Sequence, residues 1–192
     1  MVDRRAAARA IDDFLRALGH PPEGELKGTG ERVADAWADD LLEGESIDAA
    51  AVLREGAIEA DGGGGLVVVR DLAITTMCPH HLLPAFGTGL VAYLPSERIT
   101  GIGTIAHAVD ALSRRLTLQE QIGADVVALI MKELGARGAL CRLSLTHACL
   151  VARGERKAGA VVETIAVAGT FAHASPDRDL AFVALGRGGG LA

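Results

Sequence analysis

The apolar residues Ile11, Phe14, Leu15 and Leu18 recur at the period of one helix face, and Gly19 with Pro21 and Pro22 closes the segment. Residues 3–18 are therefore predicted to form an amphipathic helix. The same spacing through Val33, Trp37, Leu41 and Leu42 predicts a second helix over 29–44, and a third follows over 47–58. Asp61 and the glycines at 62–65 break the pattern, and the β-branched run at 66–69 reads as a strand. The chain thus divides into an N-terminal helical segment, 1–60, and a second region, 61–192.

In that region 88–94 reads as a strand, 104–116 as a helix, and 117–134 as a longer helix with Leu118, Ile122, Val126 and Ile130 on one stripe. Residues 140–147 alternate, with Cys141, Leu143, Leu145 and His147 on one face and Arg142, Ser144 and Thr146 on the other. A strand at 161–168 pairs naturally with it, 179–185 closes the pattern as a short helix, and the glycines at 188–190 should fray. Strands, then two helices, then strands predict an α+β fold, an antiparallel sheet with two helices on one face.

Length and composition narrow the function. A chain of 192 residues with 49% hydrophobic residues can bury a sizeable core without disulfides, and no apolar run reaches the roughly 20 residues of a membrane-spanning helix. The N-terminal stretch mixes Arg4, Arg5 and Arg9 with Asp3, Asp12 and Asp13, unlike a secretory signal, so a cytoplasmic protein is expected. A net charge of −6 argues against a phosphate-backbone binder, and 3% aromatic residues argue against a stacking platform for single strands, so neither nucleic acid nor membrane is an expected partner. Three cysteines are an odd set, better suited to a reduced metal ligand than to a disulfide framework.

Cys78-Pro-His-His81 offers a thiolate and an imidazole separated by two residues, which one short turn can direct at a single ion. Taken alone, the segment reads equally well as a turn with surface histidines and a buried thiol. His147 and Cys149 change that balance: two apart at a strand end, they project from one face, and Cys149 supplies a third soft ligand. Cys78, His81 and Cys149 would leave zinc one open position for water, the arrangement of a catalytic site. His80 and His147 stay free to move protons, with a structural hydrogen-bonding role as the alternative for His80. Cys141, in phase with Leu143 and Leu145, reads as a buried structural thiol.

Cys-Pro-His-His, then Leu-Gln-Glu at 118–120, then His-Ala-Cys and Ala-Arg-Gly within 147–154 stand in an order that resembles the GTP cyclohydrolase I family, with Thr-Gly-Glu-Arg-Val-Ala at 29–34 similar to its helix entry. The resemblance implies a tunnelling fold, a ring-shaped homodecamer with active sites at subunit boundaries, a zinc ion, and attack at C8 that opens the imidazole ring of a purine. It implies that Glu120, helped by Gln119 and backbone groups, recognises the guanine edge; a carboxylate suits this because it accepts from a ring N–H and an exocyclic amine together. Thr117 to Glu120 also spells a helix capping box, which is the structural alternative for Glu120.

The chain departs from the family where the triphosphate is held. Gly103, Thr104 and His107 stand where the family usually reads Ser-Lys followed three residues on by Arg, and Asp35 stands in place of a lysine; only Arg32 and Arg153 match the cationic pattern, with Arg156 nearby. A carboxylate at 35 should repel a triphosphate. Two enzymatic readings follow. One is a paralogue acting on a nucleoside or free base, with Thr104 and His107 making neutral hydrogen bonds and Arg153 and Arg32 holding the group on N9. The other is authentic turnover of GTP to dihydroneopterin triphosphate, with Arg98, Arg114 or Arg115 recruited. A non-catalytic zinc-stabilised scaffold is the third reading, disfavoured by the two free histidines.

Overall fold

Asp3 caps the first helix by accepting a hydrogen bond from the Ala6 N–H at 2.9 Å, and α1 runs Arg4–Ala17 in the computed structural model, which describes residues 2–60 and 64–186. The expected second helix is shorter. α2 spans Thr29–Ala36, and the chain then loosens into a π-turn at Trp37–Leu41 and a 3₁₀ turn at Glu43–Ser46. Gly44 packs closely on the end of the helix that carries Ala111: its N–H donates to Arg114 O at 3.1 Å, and a Cβ there would lie 2.5 Å from Ala111 O. α3 spans Ala49–Glu55, capped by Asp48. The tail of the predicted third helix instead forms strand β1, Ala57–Glu59, paired with β4, Arg98–Thr100.

The main sheet has the order β2-β3-β5-β6, antiparallel throughout, from β2 (Val67–Met77), β3 (Pro84–Leu94), β5 (Gly138–His147) and β6 (Val162–Gly169). α4 (Ile102–Ser113) and α5 (Gln119–Leu134) lie on one face. Leu143 and Leu145 of the sheet, Ile105 and Val109 of α4, Ile122 and Val126 of α5, and Leu53 of α3 share that core. Each large aliphatic side chain buried there contributes about 1.5–3 kcal/mol.

The fold is α+β, as the strand and helix order predicted, with one addition. α7, Pro176–Gly186, covers part of the opposite face, where Leu90, Leu140, Phe171, Ala181 and Leu185 form a second apolar layer. β5 is consequently buried on both sides, which is why Leu140, out of phase with Leu143, is as hidden as its neighbours. β2 and β3 run well past the short strands read from the sequence, because threonines and glycines within them dilute the apolar signal. No helix among the described residues is long and apolar enough to cross a membrane. Gly62, Gly63 and the 188–190 glycines lie outside the described residues.

Candidate metal centre and active site

Three elements end at one edge of the sheet and bring the chemistry together. β2 stops at Met77, and the Cys78–His81 turn is closed by Leu82 N–H donating to Cys78 O (2.9 Å) and Cys78 N–H donating to Leu83 O (3.0 Å), with Leu82 at a positive φ of 52°. β3 then returns, and its Ala85 is the register partner of His147 at the end of β5. The connection into α5 is pinned to the same place. Met77 N–H donates to Arg115 O at 3.2 Å and Thr117 N–H donates to Met77 O at 3.3 Å, so the first turn of α5, with Gln119 and Glu120, lies beside the metal loop.

Cys78, His81 and Cys149 present one ligand atom each, all within 4.8 Å of one another. The position of Cys149 has a different origin from the one expected: the strand ends at His147, and Cys149 sits in a helical turn, α6 (Ala148–Val151), that curls back toward the loop. Cys78 Sγ and His81 Nδ1 are 3.7 Å apart. A tetrahedral zinc, with Zn–S about 2.3 Å and Zn–N about 2.0–2.1 Å, spaces its ligand atoms by about 3.5–3.8 Å, so this donor set fits the ion. Burial, and the Cys78 sulfur beside it, push the Cys149 thiol above its ordinary pKa, while Arg153 pulls the other way. Two sulfurs so close resist joint ionisation, and a shared divalent cation removes that resistance.

The donors border a cleft of about 270 Å³ lined also by His80, Glu120 and His147. Glu120 is exposed and points no cap at its helix: the N-cap is Leu118, without a side-chain hydrogen bond, so the capping-box alternative is not formed. Gln119 is buried, its amide nitrogen facing Leu143 O, Val162 O and Thr164 Oγ1 and its oxygen 2.7 Å from His147 Nε2. In the single chain the polar atoms of the side chain expected to help hold the purine are thus engaged internally.

The remaining expected residues do not line this cleft within the single chain, although Arg153 is near enough to act on the Cys149 thiol. Arg32 is exposed on α2 and donates to Lys27 O and Thr29 Oγ1; His107 is exposed on α4; Thr104, half-buried, packs against Gly56; and Arg153 is exposed just beyond α6. No lysine or arginine lines the cleft among the described residues. Arg114 and Arg115, candidates for recruitment, are occupied: Arg114 donates to Asp40 O at 3.0 Å, and Arg115 to Ala111 O and Ile47 O at 2.6 and 3.1 Å. Asp35 is not a bare charge. Arg4 reaches it at 3.1 Å and also pairs with Asp39, so the repulsion expected of Asp35 is partly neutralised from α1. No pattern in the sequence linked positions 4, 35 and 39, which meet only when α1 folds onto α2. A larger cleft of about 460 Å³ between these helices mixes Arg5 and Arg9 with Asp12 and Glu31 and contains no comparable ligand set.

The sequence profile of GTP cyclohydrolase I matches residues 7–185. The chain belongs to the GTP cyclohydrolase I family. A GTP cyclohydrolase 1 of Leifsonia xyli subsp. xyli is 36% identical over 179 residues, covering 93% of both chains. That of Chromobacterium violaceum is 39% identical over 170 residues (88% of this chain, 82% of the relative), and that of Carboxydothermus hydrogenoformans 34% over 188 (97% and 96%). Among solved structures, the apo archaeosine synthase QueF-Like aligns with a TM-score of 0.46 at 18% identity, covering 55% of this chain and 95% of that one. Membership makes the chain a tunnelling-fold cyclohydrolase that acts on a cyclic amidine.

Proposed function

We propose that this cyclohydrolase uses zinc held by Cys78, His81 and Cys149 to open the imidazole ring of a purine at C8, and that its purine carries no triphosphate. One observation carries the reading: a ligand trio, two further histidines and an exposed carboxylate share a cleft whose walls, among the described residues, contain no lysine or arginine. Zinc bound there would supply Lewis acidity and a water-derived nucleophile at neutral pH. Glu120 accepts from the N–H groups of the guanine edge and fixes the ring. Addition of water at C8 places electron density on N7, and His147, with His80 beside the same cleft, delivers the proton it requires before the C8–N9 bond breaks. Arg153 and Arg32, with Thr104 and His107, hold the N9 substituent only if neighbouring copies complete the site, as the ring assembly of the family would allow. A thiolate site suits the reducing cytoplasm, where we place the reaction.

Turnover of GTP is the second reading, favoured by relatives named GTP cyclohydrolase 1 at 34–39% identity. The deciding experiment offers zinc-loaded protein GTP, guanosine, guanine and 8-oxidised purines, following loss of purine ultraviolet absorbance, and formate where C8 bears hydrogen. Turnover of the unphosphorylated purines well above that of GTP is expected. Strong turnover of micromolar GTP would establish the second reading instead, and zinc-loaded protein inert to every purine would leave a scaffold. His147→Ala should lower turnover by about 10²–10⁴-fold with zinc content retained.

A further inference from the structure

Gln119 is 2% exposed, and both polar atoms of its side chain have partners. Nε2 faces Leu143 O at 3.2 Å, Val162 O at 3.0 Å and Thr164 Oγ1 at 3.2 Å, while Oε1 lies 2.7 Å from His147 Nε2. The reverse orientation of the amide would set its oxygen against two carbonyl oxygens, none of which has a proton to give, so only one orientation is satisfied. With Oε1 facing His147, the imidazole Nε2 must be the donor. Nε2 then keeps its hydrogen whether or not Nδ1 is protonated, so Nδ1 is the nitrogen that can take up and release a proton.

We infer that Gln119 is a positioning residue for His147: it fixes the ring plane and the Nε2–H tautomer, leaves Nδ1 as the nitrogen that exchanges a proton with substrate, and does not contact the purine through its amide. The inference rests on the ring-opening reading for the use made of Nδ1, but the tautomer stands independently of it. Rigidity comes from the sheet. Leu143 and Thr164 are register partners across β5 and β6, so the amide is tied to both strands of the pair, and β5 is the strand that ends at His147. Turning the imidazole over would place its nitrogens wrongly without changing the shape of the cleft, so loss of Gln119 should act on kcat rather than on binding.

Gln119→Met keeps the length of the side chain and removes both hydrogen-bonding functions. Thr164→Val removes one support of the amide and leaves Gln119 in place, which keeps the test open if the methionine variant folds poorly. Gln119→Met is expected to lower kcat by about 10²-fold while KM, and the calorimetric affinity for guanosine, move by less than about threefold. Thr164→Val should show the same split at smaller size, and in a His147→Ala background Gln119→Met should cause no further loss. Solid-state nitrogen NMR of the histidine-labelled, zinc-loaded protein, with the His147 signal assigned by its absence in His147→Ala, should report the Nε2–H form. A ring with no hydrogen on Nε2, a rise in KM at unchanged kcat, or an equal loss in both backgrounds would overturn the inference. A wild-type protein inert to all purines would remove the ring-opening reading alone, since the spectra still decide the tautomer.

Discussion

The three cysteines of this chain occupy two different chemical settings, and the difference is measurable. Cys78 and Cys149 sit at the rim of a cleft within reach of His81, whereas Cys141 is buried between strands and helices with its thiol pushed up to about 12. After zinc is chelated, an alkylating reagent at pH 8 should modify Cys78 and Cys149 and spare Cys141 until the chain unfolds, as peptide mass mapping would show. The same burial has a pH signature. The unfolded thiol ionises near its ordinary value of 9.0 and the folded one only near 12, so this contribution to stability is intact below pH 9 and drains away as the pH rises toward 12. Cys141→Ala should flatten that part of the stability profile, measured by denaturant unfolding at a series of pH values. Cys149→Ser replaces a soft candidate ligand with a hydroxyl. Loss of a residue that merely supports a ligand costs about 10–100-fold in metal affinity, so direct loss should exceed that, read by competition with a chromogenic chelator.

Among the elements, the hairpin of β2 and β3 and its pairing with β5 decide whether a site exists. Gly87 of β3 faces β5 so closely that a Cβ would lie 2.1 Å from Ser144 O. Gly87→Ala should therefore destabilise the fold by about 1–3 kcal/mol in urea titration, because the obstruction is backbone and cannot rotate away. The α1–α2 pair behaves differently. Arg4 bridges Asp35 and Asp39 across it, and the pairing raises the Arg4 pKa and lowers that of Asp39, yet all three groups are exposed. Arg4→Ala should speed amide exchange along α1 while leaving the main melting transition nearly unchanged. Hydrophobic periodicity made α1, α5 and the β5–β6 pair legible before folding, since each carries a clean period on one face. It did not reveal the end of α2 at Ala36, nor the helical turn under Cys149, which four residues are too few to announce. Residue type and order picked out Cys78, His81 and Cys149, which the fold brings together; the engagement of Gln119 was not legible, because its partners on β5 and β6 lie 24 to 45 positions away.

For the whole molecule, the candidate metal centre and the core are separate. The ligands sit on turns beyond the strand ends, while the apolar layer of Leu53, Ile105, Ile122, Leu143 and Leu145 lies between sheet and helices without them. On the zinc reading proposed above, removal of the metal should therefore abolish turnover but preserve the far-ultraviolet circular dichroism spectrum, in contrast to small domains that unfold without their metal. The pairing of Ala85 with His147 carries a further consequence. A slip of one residue between these two strands would turn His147 to the opposite side of the sheet and draw the Cys149 sulfur away from its companions. Intermediate alignments with half a reaction centre do not exist on such a ladder, so variants that disturb it should divide into competent and inert populations instead of showing graded activity.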